Sequence, residues 1–195
     1  MKNIINLFRF YELKTIIRKN NFSLLDLGCG DGSFVELCVK KGVNALGVDK
    51  KRGTFIESLR LNEKFDVITM FHVLEHVKNP NTILNKVKLL LKDNGLLVIE
   101  VPLVGNATEH LLGKKYFAYY DQTHLRYFTK EGLINLLTKN GFHVVKKGNT
   151  LYEFSFTIIR NNLFFGWLFF LPLKIMSILG FNDEIIRLYC IKKLA

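Results

Sequence analysis

Residues 24–35 read Leu-Leu-Asp-Leu-Gly-Cys-Gly-Asp-Gly-Ser-Phe-Val. In this stretch an apolar run passes into three glycines at alternate positions, and helical spacing follows them. Glycine adopts left-handed backbone conformations and lets a ligand approach the main chain closely, so the pattern predicts a strand, a tight turn and a helix around a ligand. A carboxylate, Asp49, stands at the end of the next predicted strand, where it can accept both hydroxyls of a nucleoside ribose. Glycine turns alone also occur as plain strand–helix connections, and it is Asp26 and Asp49, at their offsets from the glycines, that favour a ligand site.

Strand and helix signals alternate on both sides of this turn. Apolar runs predict strands at residues 22–27, 43–48, 65–70, 96–101, 142–146 and 184–192. Helical spacing predicts helices at residues 1–21, 33–41, 53–61 and 80–91, and a further helix capped by Thr129 and ended by Gly141. This alternation is typical of an α/β domain with a mainly parallel sheet.

The glycine turn has a more specific resemblance. The dinucleotide fingerprint G-x-G-x-x-G needs a glycine at position 33, where this chain has Ser33. The pattern D-x-G-x-G-x-G instead resembles the first motif of the class I S-adenosylmethionine-dependent methyltransferases. That resemblance implies S-adenosyl-L-methionine as the cofactor, held by the residues of the motif and by the carboxylate on the second strand: Asp26, Gly28, Gly30, Gly32 and Asp49.

The resemblance continues along residues 20–147. Residues 65–80, which include Phe-His-Val-Leu-Glu-His-Val, look like the fourth strand and following turn of small-molecule methyltransferases of the ubiquinone-biosynthesis type. Residues 92–102 look like the fifth strand, and residues 124–142 look like the segment after it. The implied fold is a Rossmann-like class I methyltransferase sheet with flanking helices. The segment between Asp49 and Phe65 is too short for a full third strand, so the family's adenine-contacting acidic residue has no counterpart here.

We expect a single domain. It comprises an N-terminal helix (1–21), a cofactor-binding core (22–150), an apolar helical insertion (151–183) and a last strand (184–195). No internal repeat or low-complexity linker divides it.

The turn after the 65–70 strand carries His72, Glu75 and His76, which spell H-x-x-E-H. The same pattern occurs in inverted zinc-protease motifs, in which both histidines lie on one face of a helix. His72 is predicted at the end of a strand, so this interpretation does not fit. In the resembling methyltransferases an E-x-x-E-H turn is associated with a divalent cation; His72 replaces the first carboxylate, so we predict no metal site. Ligands bind at the carboxyl edge of such sheets. We therefore predict catalytic roles for His72 and His76, with packing of the fold as the alternative.

A second candidate segment precedes the Thr129 cap. The resemblance implies that His124, Arg126 and Tyr127 lie at the mouth of the acceptor pocket. We predict that His124 is catalytic and that Arg126 and Tyr127 contact the substrate. For Arg126 the reason is that a guanidinium can bind an acidic group of the acceptor. The alternative for Arg126 is a surface salt bridge to Asp121.

Composition narrows the function classes. The chain has 195 residues, a net charge of +11 and three cysteines, none of them in a C-x-x-C pair. This excludes a disulfide framework and favours a reducing cytoplasm. The N-terminal 21 residues carry charges throughout and do not read as a signal peptide. The basic residues are spread out, and no Asn/Asp-Pro-Pro-aromatic run follows the 65–70 strand, so a nucleic-acid (RNA) methyltransferase is the weaker alternative.

An aromatic-rich segment lies before the last strand. Residues 152–170 hold eight aromatic residues, and residues 163–173 carry no charge. Pro172 and Lys174 interrupt the run, and a spanning helix would separate the last strand from its sheet. We predict that residues 154–181 dock peripherally on the inner face of the cell membrane; a lid or homodimer surface and a transmembrane helix are the alternatives.

These observations predict a methyltransferase that uses S-adenosyl-L-methionine and acts on a small-molecule, lipid-linked or glycan acceptor in the cytoplasm. A cofactor-binding module without transfer activity is the non-enzyme alternative.

Overall fold

The computed structural model describes residues 2–50, 56, 59, 61–150, 175 and 183–192. The helices are α1 (Lys2–Ile17), α2 (Ser33–Lys40), α3 (Pro80–Leu90), α4 (Ala107–Leu112) and α5 (Lys130–Lys139). The strands are β1 (Ser23–Leu27), β2 (Asn44–Val48), β3 (Phe65–Phe71), β4 (Leu91–Pro102), β5 (Phe142–Lys147) and β6 (Ile185–Lys192). Short 3-10 turns occupy Leu74–His76, Gly113–Lys115 and Phe117–Tyr119.

The six strands form one sheet in the order β2-β1-β3-β4-β6-β5. Strands β1 to β4 pair in parallel, and β6 lies antiparallel between β4 and β5. The predicted α/β sheet with flanking helices is confirmed. Between β2 and β3 the described residues contain no strand.

Alternation along the central strands divides the apolar side chains between the two faces of the sheet. One face, with Leu25, Ile68 and Ile99, packs on α3 and α5. The other face, with Leu24 and Val98, packs on α1 and α2. Because helices cover both faces, a ligand has to approach the sheet at the ends of its strands.

Two predicted boundaries shift for local reasons. Leu91, predicted as the end of a helix, pairs with Phe65 and so begins β4. The register then jumps to Val67 and Leu96, so residues 92–95 form a bulge, within which Asn94 has φ +60°. The Asn94-Gly95 turn is therefore present, but inside a longer strand than residues 96–101.

Helix starts follow the cap residues. The Asn79 side chain accepts a hydrogen bond from the Thr82 amide ahead of Pro80, and the predicted Thr129 cap accepts one from the Gly132 amide at 3.1 Å. The predicted helix at 53–61 and the apolar insertion at 151–183 lie almost entirely outside the described residues. Within the described part of the chain, every helix is too short or too polar to cross a bilayer.

Candidate active site

The glycine turn connects β1 to α2 at the carboxyl edge of the sheet. Gly28, Gly30 and Gly32 have φ values of +78°, +55° and +81°, which L-amino acids with a Cβ rarely adopt. The Gly28 and Cys29 amides both donate to the Val48 carbonyl, at 2.7 and 3.1 Å. The turn is therefore anchored to the end of β2.

Asp49 follows β2 directly and faces this turn. Its Oδ2 accepts a hydrogen bond from the Gly30 amide at 2.8 Å. The sequence spacing thus brings together the two parts of the predicted cofactor site, the glycine main chain and the carboxylate.

Asp26 lies under the turn, in the last part of β1. It is buried, and its Oδ1 accepts a hydrogen bond from the Thr69 hydroxyl at 2.6 Å. Burial raises the pKa of Asp26 to about 7, and the nearby Asp49 carboxylate adds to the rise, while Thr69 and the Arg9 charge oppose it. A cation bound above the turn would favour the ionised form of this carboxyl.

The glycine turn touches the turn after β3. A Cβ built on Gly28 would lie 2.4 Å from Cγ2 of Val73, closer than real side chains come. His72 precedes Val73, so the predicted cofactor turn and the first predicted catalytic histidine are neighbours.

His72 has a left-handed backbone, with φ +55°. Its amide donates to the Glu100 carbonyl at 2.9 Å, and its Nε2 lies 3.2 Å from Oε1 of Glu100. Its Nδ1 lies 3.4 Å from Oε1 of Glu75. The side chain is 38% exposed, whereas both carboxylates are fully buried. His72 therefore lies at the boundary between the open edge of the sheet and a buried charged layer.

His76 and His124 lie side by side, with ring centroids 4.8 Å apart. The Nδ1 of His76 is 3.1 Å from the Thr123 carbonyl, and the Nδ1 of His124 is 2.7 Å from the Ala118 carbonyl. A carbonyl only accepts hydrogen bonds, so each Nδ1 carries a proton, and the neutral tautomer of each ring with this contact has its lone pair on Nε2. The structure thus brings together two of the predicted catalytic residues from separate segments.

The carboxylate close to both of these rings is Glu75. Glu75, His76 and His124 each offer a ligand atom, and the three atoms lie within 4.8 Å of one another. Glu75 is buried, and neither of its side-chain oxygens accepts a hydrogen bond from the described residues. Two imidazoles whose Nδ1 atoms are fixed by carbonyls, with one carboxylate, suit a borderline ion such as Zn²⁺ better than Mg²⁺. These residues therefore fit a divalent ion, although the sequence predicts none.

The predicted substrate residues differ in their surroundings. The Arg126 guanidinium donates to the Val77 and Lys78 carbonyls, at 3.3 and 2.6 Å, instead of pairing with Asp121. Tyr127 is 48% exposed, and its ring centroid lies 6.4 Å from that of His124. Arg126 thus secures the chain after the 3-10 turn, while Tyr127 extends the site toward solvent.

A family profile described as "Methyltransferase domain" matches residues 5–147. The chain belongs to this methyltransferase family. Two curated relatives are ubiquinone biosynthesis O-methyltransferases. The protein from Haemophilus ducreyi is 30% identical over 126 residues, covering 50% of this chain and 52% of the relative. The protein from Actinobacillus pleuropneumoniae is 36% identical over 100 residues, covering 38% and 43%. The chain thus spans about half the length of these relatives.

Solved structures agree with the methyltransferase fold. A SAM-dependent methyltransferase from Archaeoglobus fulgidus superposes with a TM-score of 0.64 at 22% identity, covering 98% of this chain and 95% of the other. Phosphoethanolamine N-methyltransferase 2 from Haemonchus contortus gives a TM-score of 0.60 at 15% identity, covering 99% and 52%. At these identities the likeness establishes the sheet and its helices.

Three charged residues beside this candidate site are missing from the sequence interpretation. Arg9, Glu100 and Arg187 form ion pairs beneath His72, and Glu100 and Arg187 are fully buried. Charged residues are rarely buried unless they are paired, and their partners come from distant parts of the chain. The local signals are Glu100 and Arg187, each a charge inside the apolar run of a strand.

Proposed function

We propose that this chain transfers a methyl group from S-adenosyl-L-methionine to a small-molecule acceptor. The observation that carries the proposal is the left-handed turn at Gly28, Gly30 and Gly32, with Asp49 beside it at the carboxyl edge of the sheet. The main chain of the turn leaves space for a ligand, and the carboxylate supplies acceptors for a ribose. Asp26, buried below, supplies negative charge under a cofactor that carries a sulfonium.

The cofactor, when bound, supplies a methyl group already activated by its positive sulfur. The residues of this chain then have to hold the acceptor in line, exclude water and take up the acceptor's proton. The candidates to take the proton are His72, His76 and His124, each of which lies at the edge where β3 and β4 end. Glu75, with His76 and His124, could hold a divalent ion that would polarise an acceptor oxygen.

The residues at the mouth of the site are suited to a planar or hydroxylated acceptor. Tyr127 presents an exposed ring beside His124. We assign acceptor contact to Tyr127, and to Arg126 the shaping of the same wall through its two carbonyl contacts. The relatives named O-methyltransferases support an oxygen as the methylated atom.

The experiment compares wild type with Asp49→Ala by calorimetry with S-adenosylhomocysteine. We expect the variant to lose about 2–4 kcal/mol of binding free energy, because charge-assisted hydrogen bonds contribute about 1.5–3 kcal/mol each. Glu36→Ala, an exposed carboxylate on α2, is the control and should bind as wild type does. Unchanged affinity in Asp49→Ala would overturn the cofactor assignment.

Transfer is tested with radiolabelled S-adenosylmethionine and three acceptor pools: phenolic small molecules, a lipid extract and total RNA. Label in a small molecule or lipid supports the proposal. Label only in RNA favours the nucleic-acid alternative, and cofactor binding without transfer to any pool favours a module that only binds.

We further propose that residues 154–181, of which the structure describes only Ile175, dock the enzyme on an anionic membrane surface. The support is their sequence: an aromatic-rich run, interrupted by Pro172 and Lys174, in a chain of net charge +11. Such docking would suit a lipid-linked acceptor. We expect flotation with anionic liposomes that weakens at high salt; a protein that stays with the soluble fraction, as a monomer or a homodimer, would contradict it.

A further inference from the structure

Helix α1 carries apolar side chains on two opposite faces. Its inward face packs Phe10 and Leu13 on the sheet, where both are buried. On the opposite face Ile4, Leu7 and Tyr11, spaced i, i+3 and i+7, are 57%, 36% and 54% exposed. A helix that covers a sheet ordinarily turns polar residues toward solvent. Core packing therefore explains the inward face and does not explain these three residues, which we call the outward stripe.

The charges beside the outward stripe are basic. The one acidic residue of α1, Glu12, is engaged elsewhere, because its Oε2 accepts a hydrogen bond from Arg187 at 2.9 Å. Lys41, which directly follows α2, donates to the Tyr11 hydroxyl oxygen at 3.2 Å, and its ammonium lies 5.5 Å from the centre of that ring. Arg18 is exposed just beyond the last turn of α1. An apolar stripe flanked by cations is complementary to an anionic lipid surface.

The outward stripe lies near the start of the aromatic-rich segment. The Asn149 amide donates to Oε1 of Glu12 at 2.9 Å. After β5 the described chain therefore runs to residue 150 alongside α1, and the segment for which membrane docking is proposed begins at residue 154. A lipid surface that receives this segment lies within reach of α1.

The same helix lies beside the cofactor turn. Nδ2 of Asn6 donates to the Ser33 hydroxyl oxygen at 3.1 Å, and Ser33 directly follows the last glycine of the turn. The first two turns of α1, which carry Ile4 and Leu7, are therefore at the carboxyl edge of the sheet. A bilayer against the outward stripe would lie beside the edge where the acceptor has to enter.

We propose that the outward stripe of α1 is a docking surface for an anionic phospholipid bilayer. The helix lies in the plane of the membrane, with Ile4, Leu7 and Tyr11 at the boundary between headgroups and acyl chains. Burial of the apolar side chains supplies the affinity, and the neighbouring basic residues attract the anionic headgroups. This inference deepens the proposed membrane docking and rests on it for the choice of partner, but it assigns the contact to a different part of the chain.

A fluorophore on α1 tests the contact directly. Cys29, Cys38 and Cys190 are buried, so a cysteine introduced at the surface can be labelled selectively. The full chain with Ile4→Cys carries the environment-sensitive fluorophore NBD. Leu89→Cys is the matched control, because Leu89 is 73% exposed on α3, which packs on the other face of the sheet. Each protein is mixed with vesicles of phosphatidylcholine alone or of phosphatidylcholine with phosphatidylglycerol.

We expect the label at Ile4 to brighten and shift to shorter wavelength on the anionic vesicles, while the label at Leu89 keeps its emission. High salt should weaken the response, because it screens the attraction of the basic residues. In flotation, Ile4→Gln/Tyr11→Gln should lower vesicle partitioning at least about tenfold, and Leu89→Gln should leave it unchanged. An equal response of the Ile4 label on neutral vesicles would overturn the assignment to anionic lipid.

Trp167 keeps this test apart from the docking proposed for residues 154–181. It is the single tryptophan of the chain, so its emission in the unlabelled protein reports on that segment. A Trp167 shift on vesicles without a response at Ile4 would overturn this inference alone. A response at Ile4 without a Trp167 shift would support this inference and contradict the docking of the segment, and no response at either position would overturn both.

Two other occupants of the outward stripe give different results before any vesicle is added. Short-wavelength emission of the Ile4 label that grows with protein concentration would assign the stripe to a second copy of the chain. Short-wavelength emission at every concentration would mean that the chain itself covers Ile4. Either result would overturn the assignment to a membrane, and urea unfolding of Ile4→Gln/Tyr11→Gln checks that the exposed substitutions leave the fold intact.

Discussion

Replacing Gly28 by alanine tests the contact between the cofactor turn and the turn after β3. Gly28 and Gly30 both have left-handed backbones, with φ +78° and +55°. A Cβ at Gly28 would lie 2.4 Å from Cγ2 of Val73, whereas a Cβ at Gly30 would have nothing within 4 Å. The two substitutions therefore share the backbone strain and differ in the clash.

The magnitudes follow from these two terms. A left-handed alanine costs roughly 1–2 kcal/mol. Forcing a methyl group into a packed contact costs roughly 1–3 kcal/mol more. We expect Gly30→Ala to lower the free energy of unfolding by about 1–2 kcal/mol and Gly28→Ala by about 2–5 kcal/mol.

Urea unfolding of both variants measures these losses. The double variant Gly28→Ala/Val73→Ala completes a cycle, because removing the Val73 methyls opens space for the new Cβ. We expect a favourable coupling of at least about 1 kcal/mol between the two changes. Equal destabilisation by the two glycine variants, or a strictly additive cycle, would refute the contact.

Three further outcomes can be checked. Asp26→Asn should stabilise the protein near pH 8 by roughly 4 kcal/mol at most, because the folded pKa of Asp26 is raised from 3.8 to about 7. The wild-type stability contribution therefore falls as pH rises from about 4 to 7, and equal stability of both proteins in chemical unfolding at pH 8 would contradict it. Asp66→Asn should have the opposite sign: despite partial burial, hydrogen bonds from Lys92 and Ser23 lower the pKa of Asp66, so its contribution is present above about pH 4 and is lost as pH falls. We expect a loss of about 1 kcal/mol at pH 7 that shrinks in acid-range urea titrations, since the pair is partly exposed. Thr129→Ala should cost about 1 kcal/mol by removing the α5 cap, and thermal unfolding that matches wild type would deny the cap a role.

The parts of the site that sequence reasoning predicts have local signals. The glycine turn can be predicted from the sequence because its three positive φ values favour glycine at three positions. Asp49 can be placed beside it because it follows β2, the strand that pairs with β1. The Thr129 cap can be predicted because a residue with a side-chain hydroxyl directly precedes a helical pattern of apolar residues. In each case the residues that interact lie in one turn or at the ends of neighbouring predicted strands, so their spacing in the sequence indicates their geometry.

The positions of Arg126 and Glu75 could not be read in this way. Arg126 looks like a free cation before a helix, yet its guanidinium donates to carbonyls of Val77 and Lys78, which lie on another turn. Main-chain acceptors leave no mark in the side-chain pattern. Glu75 is one letter of a histidine-rich motif, and only the fold shows that His124 comes to lie beside it.

The ion pairs beneath His72, formed by Arg9, Glu12, Glu100 and Arg187, are the part of the structure that the sequence indicates least. Glu100 and Arg187 become partners because β6 runs antiparallel beside β4, and Arg9 and Glu12 join them because α1 packs over that face. No local period relates the four residues, and although Glu100 and Arg187 each stand inside the apolar run of a strand, the sequence does not show that they are partners. Glu100 and Arg187 are fully buried, whereas Arg9 and Glu12 are partly exposed, and apolar residues of the same volume would often stabilise the fold as well. Because Nε2 of His72 lies 3.2 Å from Oε1 of Glu100, these ion pairs end beside the edge of the sheet where the glycine turn lies, and only the folded chain shows that they do.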